Sequence, residues 1–196
     1  MNEPFENNKK DLLLVIDMQN AYTDEGPWTC PNIDKATDNI ISLIESGKFE
    51  QIIFTRFDAA VKPVGTWKQY NEINREVNED SYLNQIVGPL QPYAYRYPLY
   101  SKSTYSSLTV PEIREAVSSC IAHGGSVVLT GVVSECCVLA TAFQAIDMGA
   151  YVTYITDGCA GVSQQTETSV IEVLKGLDYV QTRITDTETY LNTDCQ

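Results

Sequence analysis

The sequence has little basic charge, a single histidine and no long apolar run. Lys and Arg number 13 against 26 Asp and Glu, a net charge of -13 spread over both halves of the 196 residues. An evenly acidic surface repels phosphate backbones and anionic lipid, which argues against nucleic-acid and membrane partners. No span approaches the ~20 apolar residues of a membrane helix, and the first apolar run, Leu12 to Ile16, is too short for the h-region of a secretory signal. A cytoplasmic protein is expected. The six cysteines include no C-x-x-C pair, and His123 is the only histidine. A zinc site would need scattered Cys or carboxylates, so neither a metal centre nor a disulfide framework is expected.

What remains is an ordinary globular composition, 43% apolar and 20% charged, of a length that favours one domain over 1–196. LLLVI at 12–16 and QIIFT at 51–55 are continuous β-prone runs, as strands buried on both faces require. Further strands are expected at Tyr93–Tyr100, Ser126–Thr130, Tyr151–Thr156 and Tyr179–Ile184. Between them, apolar residues at helical spacing mark helices at Pro31–Ser46, Pro111–His123, Val138–Met148 and Thr166–Leu174. Alternating strands and helices imply right-handed crossovers and a parallel sheet between helical layers. The expected fold class is therefore α/β: three Rossmann-like α/β/α layers around a six-stranded, mostly parallel sheet of order 3-2-1-4-5-6. The stretch 57–93 is longer than ordinary connections. Trp67, Tyr70, Ile73 and Val77 recur at helical spacing within it, and such an insertion either contributes to a substrate pocket or decorates the surface.

In this architecture ligands bind beyond the carboxyl ends of the strands. Asp17 closes the first strand, Lys102 follows the third, and Cys137 follows the fourth at the start of a helix. Strands 1 and 4 are neighbours at the topological switch, so Asp17 and Cys137 face one crevice. A helix N-terminus and an ammonium both favour a thiolate, and an adjacent acid can take the thiol proton. The backbone of 131–137 also points N–H groups into this crevice, as a tetrahedral oxyanion requires. Singly, each residue has a plainer use: a small core residue, a turn former, a solvated lysine. Cys136 is a rival nucleophile. Two adjacent residues on a helix start diverge by about 100°, so only one thiol faces the crevice. Spacing alone does not choose between them.

Three segments carry a family resemblance. DLLLVIDMQNAY, KSTYSSL at 102–108 and LTGVVSECCVLATA at 129–142 resemble, in order, the D-x-Q, lysine and G-x-x-[ST]-x-x-C-V-x-x-T-A segments of the isochorismatase-like cysteine hydrolase superfamily. That superfamily includes nicotinamidases, N-carbamoylsarcosine amidohydrolase and ureido hydrolases. The resemblance implies Asp17 as general base, Lys102 as ammonium and Cys137, the Cys followed by Val, as nucleophile. It implies a cis peptide at Val132–Val133 and an oxyanion held by the N–H groups of Val133 and Cys137. Gln19 is expected to orient the site, with Tyr22, Phe57, Trp67 and Tyr105 assigned to pocket walls by position. Nicotinamidases carry a metal-binding Asp-x-His just past the second strand, where this chain has Asp58, Ala59 and Ala60. The resemblance therefore implies a cofactor-free, metal-independent hydrolase of a C–N bond in a small amide, carbamoyl or ureido compound, and a dimer or tetramer. The alternatives are vinyl ether hydrolysis with Asp17 as acid, a scaffold that kept the fold, and a thiol redox role for Cys136 and Cys137.

Overall fold

A computed structural model describes residues 10–193. Six strands form one sheet of order β3-β2-β1-β4-β5-β6: β1 Leu12–Ile16, β2 Gln51–Phe57, β3 Leu99–Lys102, β4 Ser126–Val132, β5 Tyr151–Ala160 and β6 Thr182–Thr185. Every pairing is parallel, and β1 is buried along its whole length. A strand packed on both faces can be apolar throughout, which is why LLLVI shows no alternation.

Eight helices accompany the sheet among the described residues: α1 Ile33–Glu45, α2 Trp67–Ile73, α3 Arg75–Glu79, α4 Gln91–Arg96, α5 Pro111–Ala122, α6 Leu139–Asp147, α7 Gln164–Lys175 and α8 Thr187–Asn192. Two apolar clusters separate the layers. On one face, Leu13, Val15 and Phe54 pack with Ile33, Ala36, Ile40 and Leu43 of α1 and Tyr190 of α8. On the other, Leu12, Leu14 and Leu129 pack with Ile113 and Val117 of α5, Ala142 and Ala145 of α6, and Val170 and Leu174 of α7. The three layers, the parallel sheet and its strand order agree with the sequence-based expectation. No helix among the described residues is long and apolar enough to cross a membrane.

The local differences have physical causes. Of Tyr93–Tyr100, expected as an irregular strand broken by Pro98, only Leu99 and Tyr100 are strand. Gln91-Pro92 opens α4, where a proline at the first turn loses no hydrogen bond. The chain turns extended at Tyr97, before Pro98, and β3 begins only at Leu99. Lys102 thus ends β3 instead of following it. The helix of the 57–93 excursion is split at Asn74 into α2 and α3. The chain at 134–138 makes one wide π-type turn before α6, closed by a Val138 N–H to Val133 carbonyl bond of 3.2 Å. The last helix, α8, carries no apolar periodicity long enough to announce it.

Close approach of β1 and β4 sets the crevice. Gly131 pairs with Ile16 and has φ +112, and a Cβ there would lie 2.1 Å from the Ile16 carbonyl oxygen. Only glycine permits that conformation and that contact.

Candidate active site

Asp17 follows β1 directly. Its φ of 52 lies in the left-handed region, which aspartate occupies more readily than most residues. The N–H of Asp17 donates to the Thr55 carbonyl at 3.1 Å, and the Thr55 hydroxyl donates to Asp17 Oδ1 at 2.8 Å. Lys102 ends β3, and its Nζ lies 2.6 Å from Asp17 Oδ2 and 3.4 Å from Cys137 Sγ. A third contact, 3.0 Å to the Thr104 carbonyl, completes the ammonium's donors. Asp17, Lys102 and Cys137 are 0%, 3% and 3% exposed. A carboxylate, an ammonium and a thiol from three different strand ends therefore meet in one buried crevice.

The two adjacent cysteines part as helix geometry requires. Cys137 joins the α5–α7 cluster and touches Lys102, whereas Cys136 packs half-buried against the α1 cluster. The Cys137 backbone is held in turn: its carbonyl accepts the Thr141 hydroxyl at 2.7 Å, and Thr141 Oγ1 accepts the Ser107 N–H at 2.9 Å. The Val132–Val133 peptide is cis. Among the described residues no hydrogen bond engages the Val133 N–H.

The electrostatics differ from the expectation of a lowered thiol. Burial pushes the Cys137 thiol well above its ordinary value, Asp17 pushes it further, and Lys102 opposes both without prevailing. A crevice this dry disfavours a thiolate beside the Asp17 carboxylate. Burial also disfavours the Lys102 ammonium. Asp17 and Cys137 more than offset this and hold its pKa above the usual lysine value.

Aromatic rings close the crevice. The Lys102 ammonium sits 5.7 Å from the Phe57 ring centroid. Phe57 lies 6.1 Å from both Trp67 and Tyr70, and Trp67 lies 5.0 Å from Tyr105. Of the pocket walls assigned by position, Phe57, Trp67 and Tyr105 thus form one ring cluster. Tyr22 is buried and sits with Trp28, 5.4 Å away. Tyr70, one turn from Trp67 on α2, was signalled only by the helical spacing of the excursion. Trp67 and Tyr70 of the excursion thus lie against Phe57 at the end of β2. Segment 82–87 docks the excursion, running beside residues 18–21 through backbone bonds such as Asn20 N–H to Gln85 and Val87 N–H to Met18, both 2.9 Å.

Gln19 does not face the crevice with a free amide. Its Oε1 accepts the Phe57 N–H at 2.7 Å, and its Nε2 donates to the Phe57 and Asn84 carbonyls at 3.1 and 3.3 Å. It fixes the end of β2 and the excursion, and so holds the Phe57 ring in place. Thr55 has no motif to mark it. Its only sequence signal is that it lies on β2 two residues before Phe57, hence on the same face.

An isochorismatase domain model matches residues 11–189. The chain is 37% identical over 65 residues to isochorismatase domain-containing protein 2 of Xenopus laevis, a match spanning 33% of this chain and 31% of that relative. Among solved structures, an isochorismatase family protein of Desulfovibrio vulgaris superposes with a TM-score of 0.77 at 17% identity, covering 93% of this chain and 97% of that one. The pyrazinamidase of Pyrococcus horikoshii, in complex with zinc, superposes with a TM-score of 0.69 at 21% identity, covering 90% and 99%.

Zinc does not suit the donors found here. Past β2, the Asp58 carboxylate is engaged by Arg56 Nε at 2.7 Å, and alanines follow it. The single histidine sits at the end of α5, beside Lys10 and Asp11 at the opposite end of the sheet. Among the described residues no three His, Cys, Asp or Glu side chains gather as a metal site.

Proposed function

The chain belongs to the isochorismatase family, and from that premise we propose that it is a metal-independent cysteine hydrolase of small amide, carbamoyl or ureido compounds. One observation carries this reading: a buried ammonium lies within 3.4 Å of a thiol and 2.6 Å of a carboxylate. Vinyl ether protonation has no use for a sulfur in that position. Attack on a carbonyl carbon does. The pyrazinamidase that shares the fold is, by its name, an amide hydrolase.

In the proposed reaction, Asp17 takes the Cys137 S–H proton as the sulfur attacks the carbonyl carbon. Because a free thiolate is disfavoured beside Asp17, the transfer accompanies attack and does not precede it. Lys102 holds the sulfur and carboxylate together and balances the charge between them. The carbonyl electrons move to oxygen, and the N–H groups of Val133 and Cys137 receive the oxyanion. The oxyanion collapses, the C–N bond breaks, and Asp17 returns its proton to the leaving nitrogen. A thioester remains. Water gives a proton to Asp17 as it attacks the thioester carbon, the C–S bond breaks, and that proton returns to sulfur. Thr55 orients the carboxylate through these steps.

The test compares Cys137→Ala with Asp17→Asn for ammonia release from a panel of small neutral amides and ureas. Covalent catalysis predicts that both folded variants lose several orders of magnitude in kcat, far beyond the effect of an ordinary core change. A folded Cys137→Ala that keeps near-native turnover while Asp17→Asn loses it assigns the chemistry to acid catalysis by Asp17 alone.

A further inference from the structure

We propose that Tyr154 is a positioning residue: its buried hydroxyl, acting through Ser134, holds the turn 134–138 wide and so keeps the Cys137 N–H free for the oxyanion. This deepens the hydrolase reading and rests on it. The turn needs a holder. In an α-helical turn the Val133 carbonyl would accept the N–H four residues on, that of Cys137. Here it accepts the N–H groups of Cys136 at 3.0 Å and Val138 at 3.2 Å and passes over the one between. Leu139 reaches back five residues in the same way, to the Ser134 carbonyl. The extra residue is therefore what releases the Cys137 N–H from Val133. Bonds of this i→i+5 kind are rare and occur mostly as single turns within α-helices, and α6 continues from this one in ordinary α geometry. A wide turn beside a helix that favours the narrower form persists through contacts that only the wide form makes.

Two side chains supply such contacts from the β5 side. Glu135 Oε1 accepts the Val162 N–H at 3.2 Å, at a rim where Val162 is 53% exposed and water competes. Ser134 Oγ accepts the Tyr154 hydroxyl at 3.1 Å, and these two residues are 0% and 1% exposed. Tyr154 lies opposite Leu129 of β4 on one side and Ile184 of β6 on the other, so the anchor is a strand fixed along both edges. Its ring shares an apolar cluster with Leu129, Cys137, Val138 and Val170, which a phenylalanine would fill as well. Burying a phenol there costs desolvation that one bond to a serine roughly offsets, so the hydroxyl adds little stability over a bare ring. What it adds is a fixed point for Ser134. Burial pushes the phenol well above its usual value, with Cys159 adding to this and Ser134 opposing it, so it remains a donor at neutral pH. Narrowing the turn by one residue would swing Ser134 about 100° from Tyr154 and return the Cys137 N–H to the Val133 carbonyl. The buried bond and the free N–H stand or fall together.

Isotope-labelled cysteine gives one amide signal for each of the six cysteines of the full chain, and hydrogen exchange is read at each, independently of turnover. In Tyr154→Phe and in Ser134→Ala we expect the Cys137 amide to exchange at least about tenfold more slowly than in the unaltered protein, because it gains the Val133 carbonyl as a partner. The Cys120 and Cys159 amides, in α5 and β5, should keep their rates. Ammonia release from the best amide or urea of the panel should lose about tenfold in kcat in each variant, with KM within about twofold. The double variant should be no slower than either single one, since both remove the same bond. Ser134→Thr, which keeps a hydroxyl, should restore both readouts relative to Ser134→Ala. A residue that merely stabilised the fold would speed exchange at all the cysteine amides together. That result overturns the proposal, as does an unaltered Cys137 amide, an unaltered kcat, or losses that multiply in the double variant. A slowed Cys137 amide with no ammonia released from any compound by the unaltered protein supports the turn-holding role and counts against the hydrolase reading, so the two fail separately.

Discussion

The two ends of the parallel sheet present opposite faces to solvent. At the amino end a groove of about 1000 Å³ runs along the β3 edge, lined by Phe49, Tyr97, Tyr100, Glu45 and Glu112 among others, and a second of about 430 Å³ lies beside Asp11, Cys120 and His123. At the carboxyl end Asp17, Lys102 and Cys137 are sealed beneath rings. The roomy end has space and scattered charge. The tight end has a base, an ammonium and a thiol within bonding distance of one another. Open volume follows from where a sheet edge and a helix part company. Reactivity follows from where strand carboxyl ends, a helix start and the topological switch converge. Two open grooves thus lie at the amino end, and the polar convergence at the other.

If this contrast holds, changes at the tight end alter turnover and changes at the roomy end alter stability. Thr55→Val keeps the shape of the side chain and removes the hydroxyl that donates to Asp17 at 2.8 Å. It should lower kcat about tenfold and leave KM nearly unchanged, because Thr55 orients the base and touches no substrate. Steady-state kinetics decide it. A raised KM at constant kcat would place Thr55 among the binding residues instead.

Asp11→Ala is the counterpart at the amino end. The Asp11 carboxylate accepts the Ser126 N–H and the Tyr190 hydroxyl, both at 2.7 Å, and so ties β4 and α8 to the start of β1. Its loss should cost about 1–3 kcal/mol of stability with kcat unaltered. Urea unfolding and a rate measurement on the same preparation check both halves. A loss of turnover without loss of stability would break the contrast between the two ends.

The smallest effect concerns pH. Burial raises Cys30 to about 12, with Glu135 adding to it, and raises Cys120 to about 11 against an opposing backbone hydrogen bond. Each thiol holds its proton more tightly folded than unfolded. Their contribution is full below pH 9, the unfolded value, and declines as pH rises through 11 and 12. Melting temperature measured from pH 8 to 12 should be flat at first and then fall. Cys120→Ala should soften the early part of the decline.

The contrast also explains what the sequence disclosed. The sheet order, the buried strands and the meeting of residues 17, 102 and 137 at one edge all follow from period, punctuation and a topological rule. Those are properties of single segments, or of a general connection geometry. Tyr93–Tyr100 misled because aromatic, β-prone residues outweighed Pro92, whose place at a helix start needs the following turn to be recognised. Thr55 and the true use of Gln19 were illegible for another reason. Both depend on which polar atoms lie across a gap of 38 residues, and nothing local to either residue encodes that. The direction of the Cys137 shift was misjudged because the helix start and the lysine are visible in sequence, whereas the depth of burial that outweighs them is not.

The central claim is that a thiol sealed at the tight end, and not its more exposed neighbour, becomes covalently acylated. The most direct test is acid quenching of the protein during turnover of benzamide or a small urea, followed by peptide mapping by mass spectrometry. The account predicts an acyl or carbamoyl group on Cys137 that vanishes in Cys137→Ala and persists in Cys136→Ala. Modification of Cys136 alone, or turnover with neither cysteine ever modified, contradicts it.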